Sequence, residues 1–410
     1  MDRRRSDDSA KRFSAYLGEL ARVIGHAARV GPLRDYCSGL LLPCERKSVE
    51  PIAAATAPGK TSAQHQSLLH FLAKGEWSDR IVLAKVRELV LPQIERHGAI
   101  EAWIVDDTGF PKHGPHSAGV SHQYCGELGK QANCQIAVSL PVANHHASLP
   151  AAYRLYLPES WASDGKRRKK AGIPDEIQFQ TKPKIALQQI EWACEAGLPR
   201  GVVMMDCAYG PDLSLRTRIG TLGLTYSVGV WARTLVRKAG KGAEPMTAAD
   251  LAKSLPMRLW RRIGWRNGTN APLVSRFARL RVHASGEAAS SAQPEEWLIV
   301  EWPKEEKEPA KFWLSTLPAN LDFKSMIDIT MMRWRIERDY QDLKQEVGLG
   351  HFEGRGWRGF HHHATMCIAA YGFLVSERGA FPPSRLRSRS VIEKSAIPQG
   401  FRPRGSPAPA

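Results

Sequence analysis

Three acidic residues stand in contexts that suit metal-dependent chemistry on phosphate esters. Asp106 follows the apolar run 103–105, Asp206 follows the apolar run 202–205, and Glu337 lies in a stretch without Gly or Pro. Carboxylate oxygens are hard ligands of the kind that Mg²⁺ prefers. Two such ions can activate a nucleophile on one side of a phosphodiester and stabilise the leaving oxygen on the other. The three acids therefore predict a site for two Mg²⁺ ions, with Mn²⁺ as a substitute.

The first two acids are each predicted at the carboxyl end of a buried strand. A short, continuous apolar run closed by a turn is typical of a strand that is buried on both faces. Ligand sites in open α/β sheets collect at the carboxyl ends of such strands. Asp106 is followed directly by Asp107, and either of the two qualifies as the first ligand. The three acids are 100 and 131 residues apart, so only folding can bring them together.

Glu337 is predicted at the edge of an amphipathic helix. Residues 329–347 contain neither Gly nor Pro, and their apolar side chains recur at steps of three and four, which predicts one helix with a buried stripe. Arg333, Glu337 and Lys344 each follow an apolar position of the stripe by one residue. They are therefore expected to lie together along the rim of that stripe. A carboxylate at the rim is oriented by packing and is still open to metal and substrate.

The overall charge favours a polyanionic partner. The 410 residues include 58 Lys and Arg against 41 Asp and Glu, which gives a net charge of +17 and an isoelectric point near 9.7. Such an excess is typical of proteins that bind nucleic acid, although a soluble protein can be basic without that role. A hydrophobic content of 43% supports a sizeable core divided among two or three domains.

The cysteines and the apolar runs favour a cytoplasmic protein. Seven cysteines form an odd set without a C-x-x-C pair, which indicates neither a zinc knuckle nor a disulfide framework. The sequence begins Met-Asp-Arg-Arg-Arg, and it has no run of 18 or more apolar residues. We therefore expect a reducing compartment rather than secretion or a membrane.

The order of predicted elements divides the chain into four parts. Residues 1–98 are expected to form an all-helical domain that binds DNA. Residues 99–230 and 318–376 hold three strands, a helix, a fourth strand that ends in an acid, a helix and a fifth strand, which is the order of an RNase H-like fold. Residues 231–317 are expected to form an inserted β-rich subdomain, and residues 377–410 a disordered basic tail. The fold class is thus mixed, α+β or α/β, with an RNase H-like catalytic core.

Two residues are expected to limit helices. Pro92 lies inside the predicted helix 78–97 and is expected to kink or split it. Gly197 follows the predicted helix 183–196 and is expected to cap its carboxyl end.

The insertion carries a basic and aromatic pattern of its own. Seven arginines and no acid lie between Arg258 and Arg281, interleaved with Trp260, Trp265 and Phe277. Cations spaced among aromatic rings suit contact with a DNA backbone combined with base stacking. The pattern also fits a twisted sheet whose rings face its own core while the arginines are solvated.

Longer motifs are more specific than the separate acids. They are DDTGFPK at 106–112, GVSHQYCG at 119–126, GK at 129–130, NCQ at 133–135 and, in the helical part, GLLLP at 39–43 followed by ERK at 45–47. With these motifs the chain resembles the DDE transposases of bacterial insertion sequences, and specifically the insertion-sequence 701 family. The resemblance covers roughly residues 12–375.

The resemblance implies an activity, a cofactor and partners. Such enzymes cut double-stranded DNA at the terminal repeats of a mobile element and join the freed 3′ hydroxyl to target DNA. Asp106, Asp206 and Glu337 would be the ligands of two Mg²⁺ ions. Relatives often show D-x-T, which favours Asp106 over Asp107 because Thr108 then falls in register. A homodimer that holds two element ends is expected, in the bacterial cytoplasm and associated with the nucleoid.

The resemblance also implies contacts with DNA. The related signature Y-x2-R-x3-E-x6-K places Arg333 and Lys344 at its two cations, where they would hold phosphates, and puts Thr330 in place of the tyrosine. Lys112 and Lys130, in a Gly-rich part of the sequence, are either further phosphate contacts, which we expect, or simply surface lysines.

The insertion supplies further candidates. In relatives that form a DNA hairpin, a tryptophan of the insertion stacks on a flipped base. Trp260 and Trp265 are the candidates for that role, and Arg261 and Arg262 are expected to contact DNA beside them.

Two other functions fit parts of the pattern. One is a catalytically silent DNA-binding protein derived from such an enzyme, and the intact acids argue against it. The other is an RNase H-like nuclease without strand transfer, which the large insertion and the basic helical N-terminal part disfavour.

Overall fold

The computed structural model describes residues 2–240, 243–267, 272–284 and 294–381. The chain divides into two compact units. The first unit comprises Met1–Ala99, Asp107–Thr181 and Ile336–Ala410, and the second comprises Ile100–Asp106 and Lys182–Arg335. Most of the predicted tail 377–410 lies outside the described residues.

The elements follow one another along the chain as helices, strands and then both. Helices α1 to α5 span Asp2–Val23, Val30–Leu41, Val49–Thr56, Thr61–Ala73 and Asp79–Glu95. Strands β1 to β5 span Ala102–Ile104, Asp106–Pro111, Ser121–Cys125, Lys130–Ala143 and Ser148–Leu155. Helices α6 to α8 span Glu159–Ala162, Gly165–Ala171 and Lys182–Glu195. Then come β6 at Val202–Met205, α9 at Leu213–Thr221, β7 at Tyr226–Val230, β8 at Leu235–Lys238, β9 at Met246–Thr247 and α10 at Ala248–Lys253.

The carboxyl-terminal third continues this order. Strands β10 to β13 span Arg261–Asn267, Pro272–Ala284, Glu295–Trp302 and Lys311–Ser315. Helices α11 to α13 span Phe323–Met331, Trp334–Gln341 and Trp357–Ala380, and a π-helical turn, Asp342–Glu346, follows α12.

The first unit is built around α13. This helix is buried along nearly all of its length, and α2, α4, α5 and β5 pack against it. The long strand β4 pairs antiparallel with β3 and β5. Pro92 lies inside α5 without splitting it, contrary to one of the two expected effects. No helix in the described ranges is both long and apolar enough to cross a membrane.

The second unit is a large mixed sheet with helices. Strands β1, β6 and β7 pair in parallel, and β7 then pairs antiparallel with β13. Strands β12, β11, β8 and β9 continue antiparallel from β13, and β10 lies along β11. Helix α11 packs on this sheet through Met326, Ile327 and Met331. Gly197, with φ +66°, follows α8 as predicted.

The prediction of a single helix over residues 329–347 is wrong. Helix α11 ends at Met331, and α12 begins at Trp334. The apolar stripe is continuous in sequence, but its two halves belong to different units: Ile329 packs against the core of the second unit, whereas Ile336 belongs to the first. A helix whose halves pack in separate cores has no need to stay straight between them.

Candidate active site

Asp106 and Asp206 stand at equivalent positions beyond two neighbouring strands. Parallel pairing of β1 with β6 aligns Ala102 with Val202 and Ile104 with Met204, a constant offset of 100 residues. The same offset separates Asp106 from Asp206. Their strands are therefore in register, and both acids emerge at the carboxyl edge of the parallel part of the sheet.

One guanidinium lies between the two acids. Nη2 of Arg333 is 2.8 Å from Oδ2 of Asp106 and 3.7 Å from Oδ2 of Asp206. The three side chains are partly exposed, 25% for Arg333 and 19% and 31% for the two acids. The structure thus brings three of the predicted site residues together and places a positive charge between the carboxylates. Asp106 shares this cation with Asp206.

A hydrogen bond and a close backbone contact hold the turn that carries Asp206. Oδ1 of Asp206 accepts a hydrogen bond of 2.9 Å from the backbone N–H of Ala208. A Cβ built on Gly210 would come within 1.9 Å of the carbonyl oxygen of Gly229 on β7, so only glycine allows this approach. The close contact ties the turn to the neighbouring strand and fixes the direction of the carboxylate.

Glu337 lies in the first turn of α12, exposed, in the first unit. Among the described residues no group of three or more His, Cys, Asp or Glu side chains is close enough to hold a metal ion. The second unit alone therefore supplies two of the three predicted ligands in one place. The role of Glu337 as the third ligand stays a prediction.

Comparison with known proteins identifies the family. A family model described as DDE superfamily endonuclease matches residues 19–272, more than half of the chain. The chain belongs to the DDE superfamily of endonucleases. Over 193 residues it is also 27% identical to the probable transposase for insertion sequence element IS701 of Microchaete diplosiphon. That overlap covers 47% of this chain and 46% of the relative, so the chain spans about half the length of the curated relative that it matches.

These matches bear on the predictions in different ways. The resemblance to the insertion-sequence 701 family and the assignment to a DDE enzyme are confirmed. The family match includes Asp106 and Asp206 and ends before Glu337. The roles of all three acids as metal ligands stay predictions; the geometry brings the first two together, and the third rests on its sequence motif.

Asp339 anchors the helix that carries Glu337, and sequence reasoning gave it no role. It is buried, and its carboxylate accepts hydrogen bonds from the hydroxyls of Ser148 on β5 and Tyr371 on α13, the latter at 2.8 Å. Burial and the nearby Asp339 carboxylate hold the pKa of Tyr371 well above its ordinary value. A carboxylate three residues after Ile336, within the apolar stripe, was the available signal.

The three lysines that were predicted to bind phosphate differ in their exposure and in their hydrogen bonds. Nζ of Lys344 donates to the Gly109 carbonyl at 2.7 Å and to Glu127 at 2.6 Å. Nζ of Lys112 donates to the Phe352 carbonyl at 2.6 Å, and burial lowers its pKa. Lys130 is exposed at the first position of β4. Of the three lysines only Lys130 is exposed, and the contact of each with DNA stays a prediction.

The Thr330 hydroxyl, at the place of the signature tyrosine, lies buried 2.9 Å from that of Ser227. A DNA contact at this position would require the side chain to leave the core.

The aromatic candidates of the insertion are packed within the second unit. Trp260 is 9% exposed and meets Trp302 edge to face at 5.3 Å, and Trp265 packs against the core under α11. Arg261 and Arg262 are exposed on β10. The indole rings are turned inward, as in the alternative interpretation. The arginines follow it only in part, because Arg276 and Arg279 are half-buried and lie over Trp302 and Trp297. Base stacking by either indole would require it to leave its packing.

The consecutive histidines 361–363 each have separate partners. Nδ1 of His361 lies 2.9 Å from the Trp357 carbonyl, and His362 lies between two other carbonyl groups. Nδ1 of His363 lies 2.8 Å from the Tyr36 hydroxyl. Burial lowers the pKa of His362 and of His363 to about 4, so both rings are neutral at physiological pH.

Proposed function

We propose that this DDE endonuclease is a transposase, which cuts DNA at the terminal repeats of an insertion sequence and joins the freed 3′ hydroxyl to target DNA. The observation that carries the proposal is the pair of aligned acids, Asp106 and Asp206, on either side of the Arg333 guanidinium. Two carboxylates arranged around one cation are what a metal-dependent phosphoryl-transfer site needs at its centre.

The donor chemistry fits divalent magnesium. Asp106 and Asp206 offer hard oxygen ligands, and the position of Arg333 shows that the space between them accommodates positive charge. We propose these two residues and Glu337 as ligands of two Mg²⁺ ions, for which Mn²⁺ can substitute. When bound, the ions would supply activation of a hydroxyl and stabilisation of the leaving oxygen.

The residues around the acids have complementary tasks in this proposal. The hydrogen bond from Ala208 holds one Asp206 oxygen, which leaves the other directed at the shared cation. Arg333, once released from the acids, would be free to hold a DNA phosphate, the role expected from its motif. Asp339 would keep α12, and with it Glu337, in a fixed orientation.

We also propose an RNase H-like catalytic core with an insertion, and DNA and a second subunit as partners. The parallel strands β1, β6 and β7, with α8 and α9, are consistent with an RNase H-like core formed by residues 99–230 and 318–376. Residues 231–317, which contain β8 to β13, would be the insertion. The net charge of +17 supports double-stranded DNA as partner, and a homodimer would bring two element ends together.

The test uses DNA from the flanks of the gene itself. Purified protein is mixed with labelled duplex carrying the flanking inverted repeats, with Mg²⁺ or Mn²⁺, and nicking and strand joining are followed. Asp206→Asn should abolish both while DNA binding persists. Asp212→Asn, a matched control six residues away whose amide can still cap α9, should cut as wild type does.

Two outcomes would redirect the proposal. Binding without cutting on several flanks, by protein with a cooperative unfolding transition, would indicate the silent DNA-binding protein. Cutting without any joined product would indicate a nuclease. An Asp206→Asn variant as fast as wild type would remove the assignment of the site.

A further inference from the structure

A short helix of the first unit, α7, carries a dense cluster of positive charge. Between Gly165 and Ala171 stand five consecutive Lys and Arg residues and no acid. Lys166, Lys169 and Lys170 are spaced by three and four, so they share one face of the helix, and all three are exposed. No role follows for them from the acids or from the motifs described above.

The ends of α7 are fixed, so this face is presented rigidly. Asp164 caps the amino end by accepting a hydrogen bond of 2.9 Å from the backbone N–H of Arg167. Gly172 closes the carboxyl end in the left-handed conformation, with φ +61°.

The other two cations of the run hold the helix in place. The Arg168 guanidinium is buried and donates to the carbonyls of Ile177 at 2.7 Å and Pro174 at 2.9 Å. The Arg167 guanidinium lies 3.8 Å from the centre of the Trp161 ring. Two of the five cations are therefore structural, and the remaining three point to an external partner.

Two neighbouring segments of the first unit extend the positive surface. Arg167 donates to the Pro115 carbonyl at 3.1 Å, and the backbone N–H of Ala118 donates to the Arg355 carbonyl at 2.9 Å. Gly356 approaches the carbonyl of Ala171 at the end of α7.

Arg355 and Arg358 are both exposed. We call Lys166, Lys169, Lys170, Arg355 and Arg358 the α7 surface. The acids nearest to the three lysines along the chain are Asp164, which is used as the cap, and Asp175 and Glu176 beyond the helix. Glu353 lies two residues before Arg355 and pairs with Arg46.

Holding these charges together costs stability. Like charges three or four residues apart on a helix repel one another and destabilise it. A bound polyanion would convert that repulsion into attraction. The three exposed lysines share one helix face, so they suit a row of backbone phosphates.

We propose that the α7 surface binds the phosphate backbone of duplex DNA, at a segment other than the one that is cut. This rests on the proposed function. The five exposed cations of the α7 surface carry the proposal, because they complement the regular negative charge of a DNA backbone.

The test is the salt dependence of DNA binding, measured without metal so that no cutting occurs. Full-length protein and the variant K166Q/K169Q/K170Q are titrated against a labelled 30-base-pair duplex over a range of salt concentrations. Each phosphate contact contributes about 0.9 to the slope of log K against log salt, so the slope should fall by about 2–3. Affinity near 0.1 M salt should fall about tenfold or more.

The matched control is K238Q/K304Q/K307Q, which removes the same charge at exposed lysines of the second unit. It should keep the wild-type slope. An unchanged slope in the α7 variant, or an equal loss of slope in the control variant, would overturn the proposal that the α7 surface binds DNA. If the wild-type protein cuts DNA but the slope of the α7 variant is unchanged, the α7 proposal fails and the transposase proposal stands. If the slope falls in the α7 variant but the wild-type protein does not cut, the transposase proposal fails and the α7 proposal stands.

Discussion

Replacing Arg333 by glutamine removes the positive charge that two carboxylates share. Its Nη2 lies 2.8 Å from Asp106 and 3.7 Å from Asp206. At an effective dielectric constant near 20, one such contact is worth about 4 kcal/mol before desolvation and screening. Because the three side chains are 19–31% exposed, a net value of about 1–2 kcal/mol is the better expectation. Arg333→Gln should lower the free energy of unfolding of the metal-free protein by that amount.

The same substitution should tighten metal binding. In the wild-type protein a divalent ion must displace the guanidinium from the acids, and in the variant it need not. A gain of about 1–2 kcal/mol corresponds to roughly five- to thirtyfold higher Mn²⁺ affinity. Added Mn²⁺ should also restore the stability that the variant has lost.

Both effects can be measured without DNA. Titration calorimetry or the electron paramagnetic resonance signal of free Mn²⁺ gives the affinity, and urea unfolding with and without Mn²⁺ gives the stability. Arg338→Gln, an equal charge change at an exposed position of α12, is the control. If Arg333→Gln binds Mn²⁺ no more tightly than wild type, or if the control gains as much, Arg333 does not occupy a cation site.

Three further predictions concern the supports of the site and the core. Asp339→Ala leaves two buried hydroxyl donors without their acceptor, and urea unfolding should show a loss of about 2–4 kcal/mol. Gly210→Ala forces a Cβ against the Gly229 carbonyl, so it should weaken Mn²⁺ binding as well as stability, in calorimetry and thermal unfolding. The pKa of His362 and of His363 falls to about 4 on folding, so the unfolded chain takes up protons at a higher pH than the folded protein. The free energy of unfolding should therefore drop as pH falls from about 6.5 to 4, by roughly 3 kcal/mol for each ring. His362→Phe should flatten that pH profile, and a profile as steep as wild type would contradict the assignment.

Sequence reasoning succeeded where a local pattern has one physical outcome. The apolar runs before Asp106 and Asp206 form strands, because such runs cannot remain exposed, and the acids end up at the strand ends. Gly197 ends a helix because a left-handed residue is needed there.

It failed where the outcome depends on a partner that is distant in sequence. One helix was expected to carry both Arg333 and Glu337, but Arg333 lies in the break before α12, and its guanidinium pairs with the two aspartates. Spacing along a helix says nothing of charges more than a hundred residues away. Likewise, the pattern around Trp260 and Trp265 fits either base stacking or rings that face the core of the sheet, and for Trp260 the deciding partner is the distant Trp302.

The central position of α13 has a consequence for folding during synthesis. Helices α2, α4 and α5 pack against residues 357–380, which leave the ribosome last among the described elements. At about 5–20 residues per second, the roughly 300 residues that separate α5 from the end of α13 take about 15–60 s to make. For that time the apolar faces of the amino-terminal helices lack their main partner and depend on chaperones or on transient collapse. A gene copy interrupted before α13 should therefore yield an aggregating fragment rather than a folded amino-terminal domain that competes for DNA.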